Sequence, residues 1–429
     1  MPLREIIIGR DEDDRKKYGK KGSIFFGRHL VGEGEEANLT NPVNLDVARP
    51  HVSLICGKRG QGKSYTGAVV AEEFFLLPEE IRNNLCMLMI DTMGIWWSLK
   101  NPNEQQIELL KDWGLEPKSF DASVYIPEGF EKSYKEEDIP FDDTFSIRAS
   151  ELSTEDWSLA FEVSLTDSLG VLLERVMRKL EGSGNYGIDD IIDTIERDKR
   201  SQEEVKQALE NRFLSARDWG IFSKEGLSIE DILEPGKVSV LDVSYFGHLS
   251  SGWSVRGLLV GLLSRRIYRK RVEARRQEEI STIRGRKKID VPMTWFVMDE
   301  AHQFLPADGK TPASGPLTTL VKEGRQPGIS VVFITQRPGA IHPNAISQSD
   351  LIVSHRLTAK PDLEALRNIM QTYMTFDIQE YINSLPRKKG SAIVLDDNSE
   401  RIYSIKVRPR MSWHAGGTPD AFEADEEEF

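Results

Sequence analysis

Short runs of consecutive apolar residues recur along the chain, and several end in a glycine or a carboxylate. Val52 to Cys56 breaks at Gly57, and Leu85 to Ile90 runs into Asp91. Val238 to Val243, Pro292 to Met298 and Ile329 to Thr335 follow the same habit later in the chain. Apolar runs of this length, closed by a polar residue, are the pattern of parallel strands buried on both faces. Between them lie stretches with helical spacing. Tyr65 to Leu77 carries apolar residues at Ala68, Val69, Ala71, Phe74 and Phe75. Trp157 to Leu180, 188–198, 202–215 and Trp253 to Gln277 read as further helices. Asp350 to Ser354, Ser391 to Leu395 and Arg401 to Val407 predict the last strands, with a helical segment from Asp362 to Ser384. The expected class is α/β with a mostly parallel central sheet.

The organisation predicted from these patterns has four parts. Residues 1–50 hold two short apolar runs, Ile6 to Ile8 and Ile24 to Phe26, and read as a short β element too small for its own core. Residues 51–99 and 236–413 form the sheet-bearing core. Residues 100–235 have few strand signals and read as a mainly helical insertion, and 414–429 as an acidic, disordered tail. Gln303 to Pro316 is rich in Pro, Gly and Ala and reads as a long mobile loop.

The break after Val52 to Cys56 has a specific form. Gly57-Lys58-Arg59-Gly60-Gln61-Gly62-Lys63-Ser64 fits G-x-x-x-x-G-K-[ST], the P-loop, between a predicted strand and a predicted helix that begins with Tyr65. Glycines in such a loop let backbone N–H groups close around phosphate oxygens at the positive end of a helix. Lys63 would then reach the β- and γ-phosphates, and Ser64 would ligate Mg²⁺. The run before Asp299-Glu300 gives the matching acidic motif, with Asp299 for the metal and Glu300 to orient and deprotonate an attacking water. Gln336, at the end of the next strand, is placed to sense the γ-phosphate or to cap a turn. Arg325 is a candidate for neutralising transition-state charge or a surface arginine. Asp91 faces the site as a partner for metal-bound water or a neighbouring loop, or serves as an N-cap.

Composition narrows the setting. The chain has 429 residues and a formal net charge of −13, which as a whole argues against a nucleic-acid binder. The distribution changes that picture, because Ser264 to Lys288 carries eleven Lys or Arg against Glu273, Glu278 and Glu279. Arg265, Arg266, Arg269 and Lys270 therefore read either as a solvated helix end or as contacts to a phosphate backbone. The two cysteines, Cys56 and Cys86, lie in strand-like runs and read as small buried side chains in a reducing compartment. The N-terminus carries charge where a signal peptide needs an apolar core, and no apolar run approaches the ~18 residues of a membrane span. The expected location is the cytoplasm, with no membrane.

Together these pieces resemble the HerA-like ATPases of the HerA–FtsK superfamily. The resemblance runs from about His51 to Trp413. It rests on GKRGQGKS at 57–64, MLMIDTMG at 87–94, WFVMDEAHQFLP at 295–306, KEGRQPGISVVFITQRP at 322–338, and SAIVLDD and IYSIKVRPR near the end. It implies a RecA-like core that binds ATP and Mg²⁺ between subunits of a hexameric ring with double-stranded DNA in its channel. Family members translocate along or unwind DNA, in end processing, defence or conjugation-like pumping. The resemblance assigns nucleotide contacts to Gly57, Gly60, Gln61, Gly62, Lys63, Ser64 and Tyr65 and metal contacts to Ser64 and Asp299. It assigns catalysis to Glu300, Lys63, Gln336 and Arg325. An arginine reaching a neighbouring subunit's site has Arg49 and Arg337 as candidates. The family usually carries an N-terminal β-barrel that docks a nuclease; about fifty residues precede the P-loop here, which argues against a partnership of that kind. Two other readings fit the same motifs: a nucleotide-driven scaffold that assembles a nuclease or effector, and a DNA pump.

Overall fold

The computed structural model describes residues 5–417 apart from 33, 227–228, 250, 286–288, 290 and 371–377. Of the expected tail, 414–429, the residues from 418 onward lie outside the described residues, as do Arg286, Lys287 and Lys288 of the basic run, while His414 at its start is packed against Tyr65.

Among the described residues, thirteen strands form one sheet. In chain order they are β1 (Ile6–Ile8), β2 (Ser23–Val31), β3 (Asn38–Asp46), β4 (Val52–Cys56), β5 (Leu85–Asp91), β6 (Ser123–Pro127), β7 (Asp143–Phe145), β8 (Val238–Asp242), β9 (Met293–Met298), β10 (Ile329–Thr335), β11 (Leu351–His355), β12 (Ser391–Asp396) and β13 (Arg401–Val407). The spatial order is β1-β3-β2-β13-β12-β11-β4-β10-β9-β5-β8-β6-β7. From β11 to β7 all neighbours are parallel, and β12, β13 and β2 join antiparallel. The parallel strands read as continuous apolar runs because both faces are covered. Leu54, Leu88, Ile90, Phe296, Met298, Val331 and Phe333 point into one core, while Ile55, Met87, Met89, Trp295, Val297, Val332 and Ile334 point into the other.

The helix after the P-loop, Lys63–Phe75, lies on the second face through Ala68, Val69, Ala71 and Phe74. It sits close to the sheet because position 67 is glycine: a Cβ there would stand 2.6 Å from Ile334 Cδ1. The long helix Gly252–Ile283 covers the first face with Leu258, Leu259, Leu262, Leu263 and Ile267.

Three expectations change. Residues 100–235 also supply β6 and β7, which extend the sheet at one edge. The stretch Trp157 to Leu180 is two helices, Thr154–Ala160 and Ser168–Leu180. Glu162 adopts φ 53° between them, and Gly170 packs so close to Ser164 that a Cβ would meet its carbonyl oxygen at 2.1 Å. The Pro/Gly/Ala-rich stretch after Gln303 is seated on the long helix: Pro312 packs against Gly257 and Gly261, and Thr311 Oγ1 donates to the Phe304 carbonyl at 2.6 Å. Its small residues permit close contact there. Cys56 and Cys86 are buried thiols on β4 and β5.

The N-terminal strands β2 and β3 form an antiparallel pair that joins the sheet through β13. Among the described residues, no helix is long and apolar enough to cross a membrane.

Candidate functional site

The carboxyl ends of the parallel strands gather the predicted chemistry on one edge. The P-loop leaves β4 at its centre, with Asp299 and Glu300 two strands away after β9 and Gln336 after β10. Positive φ at Gly60 (76°) and Gly62 (103°) lets the loop turn into the helix, a conformation that costs other residues energy. Gly57 must also be glycine, because a Cβ would come within 2.6 Å of His355 Cβ. His355, at the end of β11, supports the loop from below. Its Nδ1 donates to the Ser391 carbonyl at 3.0 Å, and its Nε2 lies 2.9 Å from Thr66 Oγ1. Burial drives its pKa down to about 4, so it stays neutral there.

The two motifs meet directly. Ser64 Oγ donates to Asp299 Oδ2 at 2.9 Å, and Asp299 Oδ1 accepts the Glu300 N–H at 2.9 Å. Asp299 is 1% exposed, and burial raises its pKa. Lys63 is buried as well, its pKa lowered by desolvation, and its ammonium donates to the Lys58 carbonyl at 3.3 Å. Glu300 adopts φ 48°, a left-handed conformation rare outside glycine, which turns its side chain back toward the loop. Burial, then the charge of Asp299, pushes its pKa up to about 7. Its Oε2 is buried without a hydrogen-bond partner among the described residues. His302 stands 3.4 Å from that oxygen, but burial lowers its pKa to about 4, so it brings no positive charge near neutral pH.

A hydroxyl facing a carboxylate, beside a lysine and an unsatisfied second carboxylate, is a donor set of hard oxygens that suits Mg²⁺. Gln336 is half-buried, and its backbone N–H lies near enough to Glu300 to offset part of the rise in the carboxyl pKa. Arg337 is exposed close enough to His302 to help depress its pKa.

Other expected residues fall elsewhere. Asp91 is a loop anchor: Oδ1 accepts the N–H groups of Met93 and Gly94, and Oδ2 those of Ile95 and Trp96. The loop it shapes returns to the P-loop, where Trp96 Nε1–H donates to the Ser64 carbonyl at 3.1 Å. Burial and neighbouring Asp242 raise the Asp91 pKa to about 7.

Arg325 is at the opposite edge of the sheet, and this corrects its placement beside the phosphates of its own chain. Its guanidinium lies 3.9 Å from Asp350, whose carboxylate accepts the N–H of Val52 at the amino end of β4. Five residues of strand, roughly 16 Å, separate that point from the P-loop. Arg49 is bound to Asp14 near the same edge.

Arg265 makes a bidentate pair with Asp156 at 2.9 and 2.8 Å, and Arg266 is 6% exposed and pairs with Glu151. Both therefore tie the long helix to the insertion. Arg269 is exposed and Lys270 half-buried on the same helix.

One arrangement left no signal in the sequence pattern. After β13 the chain runs as a strap across the P-loop helix. Glu72, fully buried, accepts from Arg408 Nη1, Arg410 Nε, the N–H groups of Met411 and Ser412, and Ser412 Oγ. Tyr65, expected to face nucleotide, accepts the Arg410 N–H with its phenol oxygen. Two acids in mid-helix read as a solvated face, and nothing local points to partners more than 330 residues away.

Comparison with known proteins agrees with this picture. The family model described as "Helicase HerA, central domain" matches residues 24–267. Over 445 residues the chain is 23% identical to the "DNA double-strand break repair helicase HerA" of Saccharolobus solfataricus, covering 98% of this chain and 74% of that protein. A shorter match, 24% identical over 120 residues, spans 28% of this chain and 21% of the "Probable DNA double-strand break repair helicase HerA" of Methanocaldococcus jannaschii. The structure of VirB4 of Thermoanaerobacter pseudethanolicus superposes with a TM-score of 0.55 at 14% identity, over 90% of this chain and 97% of that one. The fold is that of a RecA-like P-loop NTPase.

Proposed function

Since the chain belongs to the HerA helicase central-domain family, we propose that it is an ATP-hydrolysing motor that works as a ring on double-stranded DNA. The observation that carries this reading is the hydrogen bond from Ser64 to Asp299 with the buried Glu300 Oε2, which has no hydrogen-bond partner among the described residues, beside it. In this reading the P-loop N–H groups and Lys63 hold the triphosphate. Ser64 and Asp299 would hold a magnesium ion, which when bound would supply charge neutralisation to the phosphates. Glu300 orients a water against the γ-phosphate and takes its proton, and a pKa near 7 suits a base working at neutral pH. Gln336, at the end of β10 and near Glu300, passes the state of the site to β10 and its following turn.

Arg325, standing at the far edge, serves a neighbouring subunit's site in this reading. That gives the ring a testable property. Lys63→Ala and Arg325→Ala chains, each inactive by itself, should regain ATPase activity on mixing. No regain would remove Arg325 from the reaction.

The main test is Glu300→Gln. It should keep ATP affinity within about threefold and lower turnover by at least ~100-fold, the range of a lost general base. Turnover like wild type would overturn the assignment. For DNA, Arg269→Gln and Lys270→Gln should each lower affinity and reduce the salt slope by about 1. An unchanged slope would exclude that helix face as a phosphate contact.

A further inference from the structure

The strap after β13 does more than cross the P-loop helix. The phosphate cradle has unlike walls. On the β10 and β9 side stand Glu300 and Asp299. On the other side, before β12, the loop Arg387-Lys388-Lys389-Gly390 touches the P-loop itself, with the Gly390 N–H donating to the Gln61 carbonyl at 3.3 Å. Val407 donates to the Gly390 carbonyl at 3.0 Å, so this loop and the root of the strap are one unit. The strap then passes over the first turns of the helix and docks beyond it, where Trp413 N–H donates to the Asn101 carbonyl at 2.7 Å.

Two half-buried rings meet where the strap crosses the start of the helix. Tyr65, the residue after Ser64, packs edge-on against His414 with centroids 5.2 Å apart and planes at 80°. His414 is oriented by Arg410, whose Nη1 lies 3.2 Å from His414 Nδ1. A guanidinium only donates, so Nδ1 accepts and the ring proton sits on Nε2. Burial, with Arg410 and Lys389 nearby, lowers the His414 pKa to about 4, and the ring is neutral. Lys389 is exposed beside it, while the Lys389 carbonyl holds the Lys406 ammonium.

A triphosphate whose γ end meets Glu300 leaves the cradle at its other end. The side chains beside that end are the Tyr65–His414 pair, whose imidazole carries its proton on Nε2, and the exposed Lys389. We propose that the strap and the 387–390 loop build the nucleoside half of the site, with Tyr65, His414 and Lys389 contacting the base and ribose of the bound nucleotide. This rests on the phosphate-site reading above. Glu72, by pinning Arg408, Arg410 and Ser412, is the positioning residue that holds this half against the cradle.

The experiment compares two ligands, Mg-ATP and Mg-tripolyphosphate, by calorimetric titration of the full chain. The phosphate half sees both alike, and the nucleoside half sees only ATP. His414→Ala and Lys389→Ala should each weaken ATP by about tenfold or more, and leave tripolyphosphate within about twofold. Conservative His414→Gln, which keeps an N–H donor, should recover part of the ATP affinity. Equal ATP affinity in wild type and both alanine variants overturns the proposal. Equal weakening of both ligands overturns it too, because the strap would then only support the cradle. A wild-type chain that binds neither ligand refutes the phosphate-site reading itself.

Discussion

Ser64 and Asp299 are 235 residues apart in sequence, yet the serine hydroxyl donates to the aspartate carboxylate at 2.9 Å. The bond closes the gap between the phosphate loop and the acidic strand end. It also leaves the hydroxyl oxygen and the carboxylate facing the same space, as a shared hard cation requires.

Ser64→Ala should therefore separate binding of phosphate from binding of metal. The lost hydrogen bond costs about 1 kcal/mol of stability. Magnesium should then strengthen ATP binding by at least about tenfold less than in wild type. Titration with and without magnesium checks this, and an unchanged magnesium effect would remove Ser64 from the metal site.

Glu300 gives a pH dependence with a defined sign. Its folded pKa of about 7 is above that of an unfolded glutamate because burial and Asp299 disfavour the charge. As a base it works only when ionised, so single-turnover ATP hydrolysis should rise as pH increases through about 7. Stability runs the other way: the favourable contribution is complete below the unfolded pKa and is lost as pH rises through 7. Glu300→Gln should accordingly raise the melting temperature at pH 8 by about 2–4 °C, the effect of ~1 kcal/mol in a large domain, and leave it unchanged at pH 4.

His51 has the same sign at a higher pH. It is fully buried between Asp350, at 2.7 Å, and Asp46, at 3.7 Å. Burial opposes its charge, but the hydrogen bond to Asp350 and the negative charges of the two aspartates outweigh that and raise its pKa to about 9. A histidine raised in this way stabilises the fold fully below pH ~6.5, and that contribution disappears as pH climbs through 9. Melting temperature should fall across pH 6.5 to 9.5 in wild type and change less in His51→Gln. Identical slopes would show that the imidazole is neutral in the fold.

Glu72→Gln tests the strap. Removing one partner of a buried ion cluster leaves Arg408 and Arg410 charged and under-satisfied, so the cost should be about 3 kcal/mol or more. Denaturant unfolding measures it. A loss under ~1 kcal/mol would mean that the strap is held elsewhere.

Much of the sheet was legible because its strands are buried on both faces. Leu85 to Asp91 and Ile329 to Thr335 appear as strands with the boundaries their apolar runs suggest. The P-loop was legible because its chemistry needs glycines at fixed local spacing, and Asp299 and Glu300 because a strand end positions them. Trp157 to Leu180 misled because apolar spacing continues through a break made by backbone geometry at Glu162 and the close packing of Gly170. Arg265 and Arg266 misled because composition counts charges without their partners, here Asp156 and Glu151.

By itself the sequence determined the local events: which runs are strands, where a phosphate loop turns, and which acids close a strand. These depend on neighbours within a few residues, through periodicity and backbone preference. Only the tertiary structure decided which edge each group occupies and what it meets there. It put Arg325 across the sheet from the P-loop, gave Glu72 its partners on the strap, and drew Tyr65 against His414. Such pairings follow from strand order and from the requirement that buried charge be satisfied, and both depend on residues hundreds of positions apart.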